Sequence, residues 1–132
     1  MKEILDTRFL IEHFVGAHPE IRERTRRRLR ALLRRREGII PTIALAEFVD
    51  QMCRLAGRQE AARIHRAILA SGLVLHPLTP AIAAEAGALR CTYRGVPMAD
   101  CIVAATAVHL DGRVLSDDPH FRSMRGIWTA WL

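Results

Sequence analysis

The stretch VPMADCIVAATAVHL, residues 96–110, restricts the architecture of this chain more than any other. Its side chains are apolar on almost every side of a helix, as in a helix covered by other elements rather than lying on a surface. Asp100 is its one charge, between Arg94 and Asp111. Pro97 suits a first helical position, which puts Asp100 beyond the N-cap, where only the helix dipole favours a carboxylate. That is too little to offset burial of an ionised group. Asp100 therefore needs a hydrogen-bond donor, an ion-pair partner or a metal.

The flanking sequence supplies the cover. KEILD at 2–6 reads as a strand and TRFLIEHFVG as a helix closed by Gly16. Pro19 opens a long helix that Gly38 halts, and GIIPT is a second strand. Two helices follow, TIALAEFVDQMCRLAG and RQEAARIHRAILASG, then the strand LVLHPL. Thr79 is the expected N-cap of the next helix. After the apolar helix come the strand RVLSDD and a final edge strand within GIWTAWL. Strands alternating with helices or helix pairs predict an α/β sandwich around a central, mostly parallel sheet. With no repeat, low-complexity tract or linker, residues 1–132 read as a single domain.

Several classes are disfavoured. No run approaches the roughly 18 apolar residues of a membrane span, and MKEILDTRFL lacks the apolar segment of a signal peptide. Cys53, Cys91 and Cys101 are scattered without a C-x-x-C pair, which fits a reducing cytoplasm better than a disulfide framework or a zinc site. Net charge is +6, and Lys2 is the only lysine among 20 basic residues. Nine arginines fall in residues 22–36. They suit RNA phosphates, a protein partner, or simply the solvated face of an amphipathic helix whose stripe is Ile21, Thr25, Leu29, Leu32 and Leu33.

The acids carry the chemical signal. Asp6 ends the first strand, Glu47 lies one to two turns into the helix after the second, and Asp117 and Asp118 end the fourth. Ligands of parallel sheets gather beyond the carboxyl ends of the strands, and a central 97–110 helix would bring Asp100 to the same rim. Each acid also has a structural explanation: Asp6 and Asp118 as N-caps, Glu47 as a solvated acid beside Asp50, Gln51 and Arg54, Asp100 as a buried hydrogen-bonded group. Together they favour a hard divalent cation, because clustered carboxylates resist joint ionisation without one. Lacking the His and Cys ligands of zinc, the set suits Mg²⁺ or Mn²⁺, ions that activate phosphodiesters toward water. Thr7 and Ser116 place hydroxyls beside two of the acids.

LDT at 5–7, TIALAEF at 42–48, MADCIVAATA at 98–107 and VLSDDPHF at 114–121 resemble, in order, the four acidic blocks of PIN domains, most closely the VapC-type toxins of toxin–antitoxin pairs. The resemblance implies a Rossmann-like α/β/α sandwich and a metal-dependent endoribonuclease leaving 5′-phosphate and 3′-hydroxyl ends. Residue by residue it makes Asp6, Glu47, Asp100 and Asp118 catalytic, with Asp6, Asp100 and Asp118 as metal ligands. Thr7 and Ser116 become auxiliary groups, and Asp117, in the variable slot, either an auxiliary acid or a bystander. It further implies an RNA substrate, an antitoxin that blocks the site, and a homodimer.

This chain departs from the family pattern at two positions. Arg8 stands where a small polar residue usually follows the first Asp-Thr; it can grip substrate phosphate, pair with a site acid or point away. Ser116 replaces Thr and keeps the hydroxyl. His120 is a candidate substrate contact or an exposed loop side chain. His13, His65, His76 and His109 share no ligand spacing and read as structural, and Trp128 and Trp131 are expected to pack. Haloacid-dehalogenase-like phosphatases and phosphoacceptor receiver domains are disfavoured because Lys2 precedes the first strand. The alternatives kept are a PIN nuclease of RNA processing and a non-catalytic PIN domain that binds RNA or protein.

Overall fold

The strands are apolar at successive positions because helices cover both faces of the sheet. A computed structural model describes residues 1–132. In chain order the elements are β1 (Glu3–Leu5), α1 (Thr7–Val15), α2 (Pro19–Arg35), β2 (Gly38–Pro41), α3 (Thr42–Ala56) and α4 (Arg58–Ala70). There follow β3 (Val74–His76), α5 (Pro80–Thr92), α6 (Met98–His109), β4 (Arg113–Leu115), α7 (Pro119–Ser123) and β5 (Thr129–Ala130). All five strands are parallel, in the order β3-β2-β1-β4-β5. The expected mostly parallel sheet is thus parallel throughout.

Period-two alternation along each strand feeds two cores. Ile4, Ile39 and Val114 join Ile82, Ala86, Phe121 and the inner side of α6. Leu5, Ile40 and Leu115 join Phe9, Leu10, Leu32, Phe48 and Ile64 on the side of α1 to α4. Helix α6 lies against β1, β2 and β4 as well as α3 and α5. Cys101, Val103, Ala104, Ala105 and Ala107 are buried there, whereas Met98 and Val108 at its two ends are exposed. The small alanines let α6 sit close to the strands, which makes it the central helix that Asp100 required.

Three local expectations need correction. Pro97 is the N-cap of α6 rather than its first residue (ψ 149°), so Asp100 sits in the first turn at the third helical position. The long helix α2 is ended by Arg36, whose left-handed φ of 55° lets Arg36 and Glu37 donate to the carbonyls of Leu33 and Leu32. Gly38 instead opens β2, where a Cβ would lie 2.6 Å from Leu73 Cδ2 and 3.2 Å from Leu32 Cβ, so that a larger residue would have to displace the Leu73 side chain. Trp131 packs edge-on against Phe9, but Trp128 is 65% exposed. Thr79 caps α5 as expected, accepting from the Ile82 amide at 3.3 Å.

The arginine helix is partly committed to the fold. Arg28 donates through Nε and Nη2 to Glu3, which Arg113 Nε also contacts at 2.8 Å. Burial would raise the pKa of Glu3, but its hydrogen bonds to Arg28 and Arg113 and their charges outweigh that and hold it below the usual range. No helix is long and apolar enough to cross a membrane.

Candidate active site

In the strand order, β1 leads by way of α1 and α2 to β2 on one side, while β4 pairs on its other side. The chain therefore diverges between β1 and β4, and ligands of such sheets bind in the crevice beyond the carboxyl ends of those strands. Asp6 follows β1 directly and Ser116 follows β4. Across that crevice Ser116 Oγ donates to Asp6 Oδ2 at 3.0 Å and accepts from the Asp118 amide at 3.1 Å. The hydroxyl thus ties the first acid to the loop that carries the fourth.

Asp6 precedes α1 in extended conformation, yet its side chain makes no capping hydrogen bond to the helix. It is 5% exposed and its carboxylate is turned to the site. Burial pushes its pKa from 3.8 to about 6, against hydrogen bonds from Ser116 and the Thr7 backbone and with help from the charges of Glu47 and Asp118. Next to it Thr7 Oγ1 lies 3.3 Å from both the Ala44 carbonyl and Glu47 Oε1, joining the start of α1 to α3. Glu47, half-buried on the second turn of α3, is also raised, by burial and then by the charges of Asp100 and Asp50 against the Thr7 bond.

Asp100 and Asp118 meet at His120. His120 Nδ1 stands 2.9 Å from Asp100 Oδ2 and 3.3 Å from Asp118 Oδ1. These ligand atoms lie within 4.8 Å of one another. Burial raises the Asp100 pKa, as do the charges of Asp6 and Asp118, against the His120 bond. Asp118 does cap α7, accepting from the His120 amide at 2.9 Å, so its structural and site roles coexist.

Asp6, Glu47, Asp100 and Asp118 thus share one electrostatic environment, as the coupling of their charges shows. None is ion-paired with an arginine or lysine, in a chain that has 20 such residues. Asp117 lies outside this group and pairs with Arg8, whose Nε reaches its Oδ1 at 3.0 Å. Arg8 also binds Glu12, and its guanidinium lies 5.9 Å from the centre of the Trp131 ring. Of the roles open to Arg8, pairing with an acid of this rim is the one observed.

The contact of His120 with Asp100 was not readable from the sequence. In the run Asp118-Pro119-His120, an N-cap acid followed by Pro does signal that the third residue returns its amide to the acid. Its reach to Asp100 depends on how α7 packs against α6. Of the other histidines, His13 hydrogen-bonds Thr25 at 3.0 Å and stacks on Phe9, and His76 lies edge-on to His109.

Comparison with known proteins gives one family and one fold. The family model described as PIN domain matches residues 4–127. No curated protein sequence matches. Among solved structures, DNA-bound VapBC from Salmonella typhimurium aligns with a TM-score of 0.81 at 19% identity, covering 99% of this chain and 98% of that one. VapBC2 from Rickettsia felis, bound to a promoter DNA fragment, gives 0.79 at 14% identity over 100% and 99%. VapC20 of Mycobacterium tuberculosis, described as a sarcin-ricin-loop-cleaving toxin, gives 0.69 at 19% identity over 92% and 94%.

Proposed function

The chain belongs to the PIN domain family, and from that premise we propose that it is a divalent-metal-dependent endoribonuclease, the toxin of a toxin–antitoxin pair. The observation that carries this reading is the convergence of Asp6, Glu47, Asp100 and Asp118 without a basic partner other than His120. Burial and mutual repulsion raise three of these acids, an arrangement that destabilises a metal-free site and suits a cation. All-oxygen donors among the acids fit Mg²⁺ or Mn²⁺.

Asp6, Asp100 and Asp118 would hold the ion, which when bound supplies Lewis acidity at a phosphodiester. Ser116 fixes the Asp6 carboxylate and the Asp118 backbone together, so that both acids keep one spacing. Thr7, at the start of α1, orients Glu47 on α3. Glu47, the one acid of the four left off the ion, is free to accept a proton from an attacking water, and its raised pKa favours that role. Asp117 pairs with Arg8 and so links the loop after β4 to α1.

RNA as substrate is supported by the fold shared with a toxin described as cleaving the sarcin-ricin loop. A protein antitoxin is supported by the fold shared with VapBC assemblies. The proposed setting is cytoplasmic, with the chain as a homodimer. The test is cleavage of total RNA by the purified chain. Mn²⁺ or Mg²⁺ should be required, chelation should stop cleavage, and Asp100→Asn should abolish it while leaving the fold intact. Cleavage that persists in the chelated or Asp100→Asn protein would refute the assignment.

A further inference from the structure

His120 stands where a ligand would stand. A divalent ion with oxygen ligands at about 2.1 Å in octahedral geometry separates neighbouring donors by about 3.0 Å, the edge of the octahedron. The distances of His120 Nδ1 from Asp100 Oδ2 and Asp118 Oδ1, 2.9 and 3.3 Å, are of that size. The backbone that carries the ring is also held in place. Phe121, the next residue, is fully buried. The His120 amide is bound to Asp118, and its carbonyl accepts from Ser123 Oγ at 2.6 Å. Short as α7 is, it fixes both a carboxylate and an imidazole edge against the first turn of α6.

We propose that His120 Nδ1 is a ligand of the divalent ion, beside Asp100 and Asp118, and that this nitrogen biases the site toward Mn²⁺ over Mg²⁺. The proposal rests on the metal-dependent reading above and adds to it a residue and a selectivity. Mg²⁺ favours an all-oxygen, largely hydrated shell. Affinity for mixed nitrogen and oxygen sites rises across the transition metals, beginning with Mn²⁺.

The experiment is direct binding of Mn²⁺ and of Mg²⁺ to the full chain by calorimetry, with pulsed electron paramagnetic resonance of the Mn²⁺ complex. The wild type should show hyperfine coupling to an imidazole nitrogen. His120→Ala and His120→Asn should lose that coupling and about tenfold or more in Mn²⁺ affinity, the size of loss seen when groups around metal ligands are removed. Mg²⁺ affinity should change far less. Bound Mn²⁺ without nitrogen coupling in the wild type would overturn the assignment of His120 alone, and equal losses for both ions would overturn the preference for Mn²⁺. No binding of either ion by the wild type would overturn the metal reading too. The wild-type spectrum decides even if a variant fails to fold.

Discussion

Replacing Asp6 by asparagine should make the metal-free protein more stable while removing its activity. Asp6 is buried, and its pKa is raised from 3.8 to about 6. A raised carboxyl pKa means that the folded chain holds a proton the unfolded chain has released, so stability falls as pH rises from about 3.8 to about 6. Above that window the full penalty is present. At 1.36 kcal/mol per pH unit, the interval corresponds to about 3 kcal/mol at pH 7. Asparagine keeps an oxygen to accept from Ser116, and its amide hydrogens can face the neighbouring acids. No capping bond to α1 is lost, because the wild-type side chain makes none. Thermal and urea unfolding in chelator should therefore show Asp6→Asn more stable by up to about 3 kcal/mol at pH 7, or roughly 10 °C in Tm. The gap should shrink toward zero by pH 4, where both side chains are neutral. Saturating Mn²⁺ should stabilise the wild type by about 2.7 kcal/mol at a hundredfold excess over Kd, and so close the gap. A variant no more stable than the wild type at pH 7, or a gap equally large at pH 4, would refute the electrostatic reasoning.

Other outcomes follow from interactions away from the acids. Glu3→Ala removes the 3%-exposed carboxylate shared by Arg28 and Arg113, and should destabilise the fold by about 2–3 kcal/mol in urea unfolding, below the range for fully buried pairs because both arginines reach solvent. Since the pKa of Glu3 is lowered, its contribution is present above the ordinary 4.5 and is lost as pH falls through the folded value; the cost of Glu3→Ala should vanish in strong acid. A double-mutant cycle on Arg8 and Asp117, side chains 44% and 33% exposed, should give a coupling of only about 0.5–1 kcal/mol by urea unfolding.

How far the sequence reached can be followed from Asp100. An apolar helix with one acid in its first turn required a central position and a partner for that acid, and both requirements depend on composition within a single element. The strands were legible for the same reason: Ile4-Leu5, Ile39-Ile40 and Val114-Leu115 can be apolar in succession only in a sheet covered on both faces. The sequence places the end of α2 at Gly38, but the turn is made by Arg36, which adopts a left-handed conformation usually left to glycine, while Gly38 lies in β2 close against Leu73, 35 residues away in the chain. Trp128 was misjudged because burial at a sheet edge depends on what lies beyond the strand, which no local pattern encodes. His120 lies on the same boundary. Its tie to Asp118 is local, two residues back across a helix cap, whereas its contact with Asp100 spans 20 residues and exists only because buried Phe121 docks α7 beside α6. Motif reading finds acids that recur in order along a chain, and only packing shows which side chain from beside them is brought into contact.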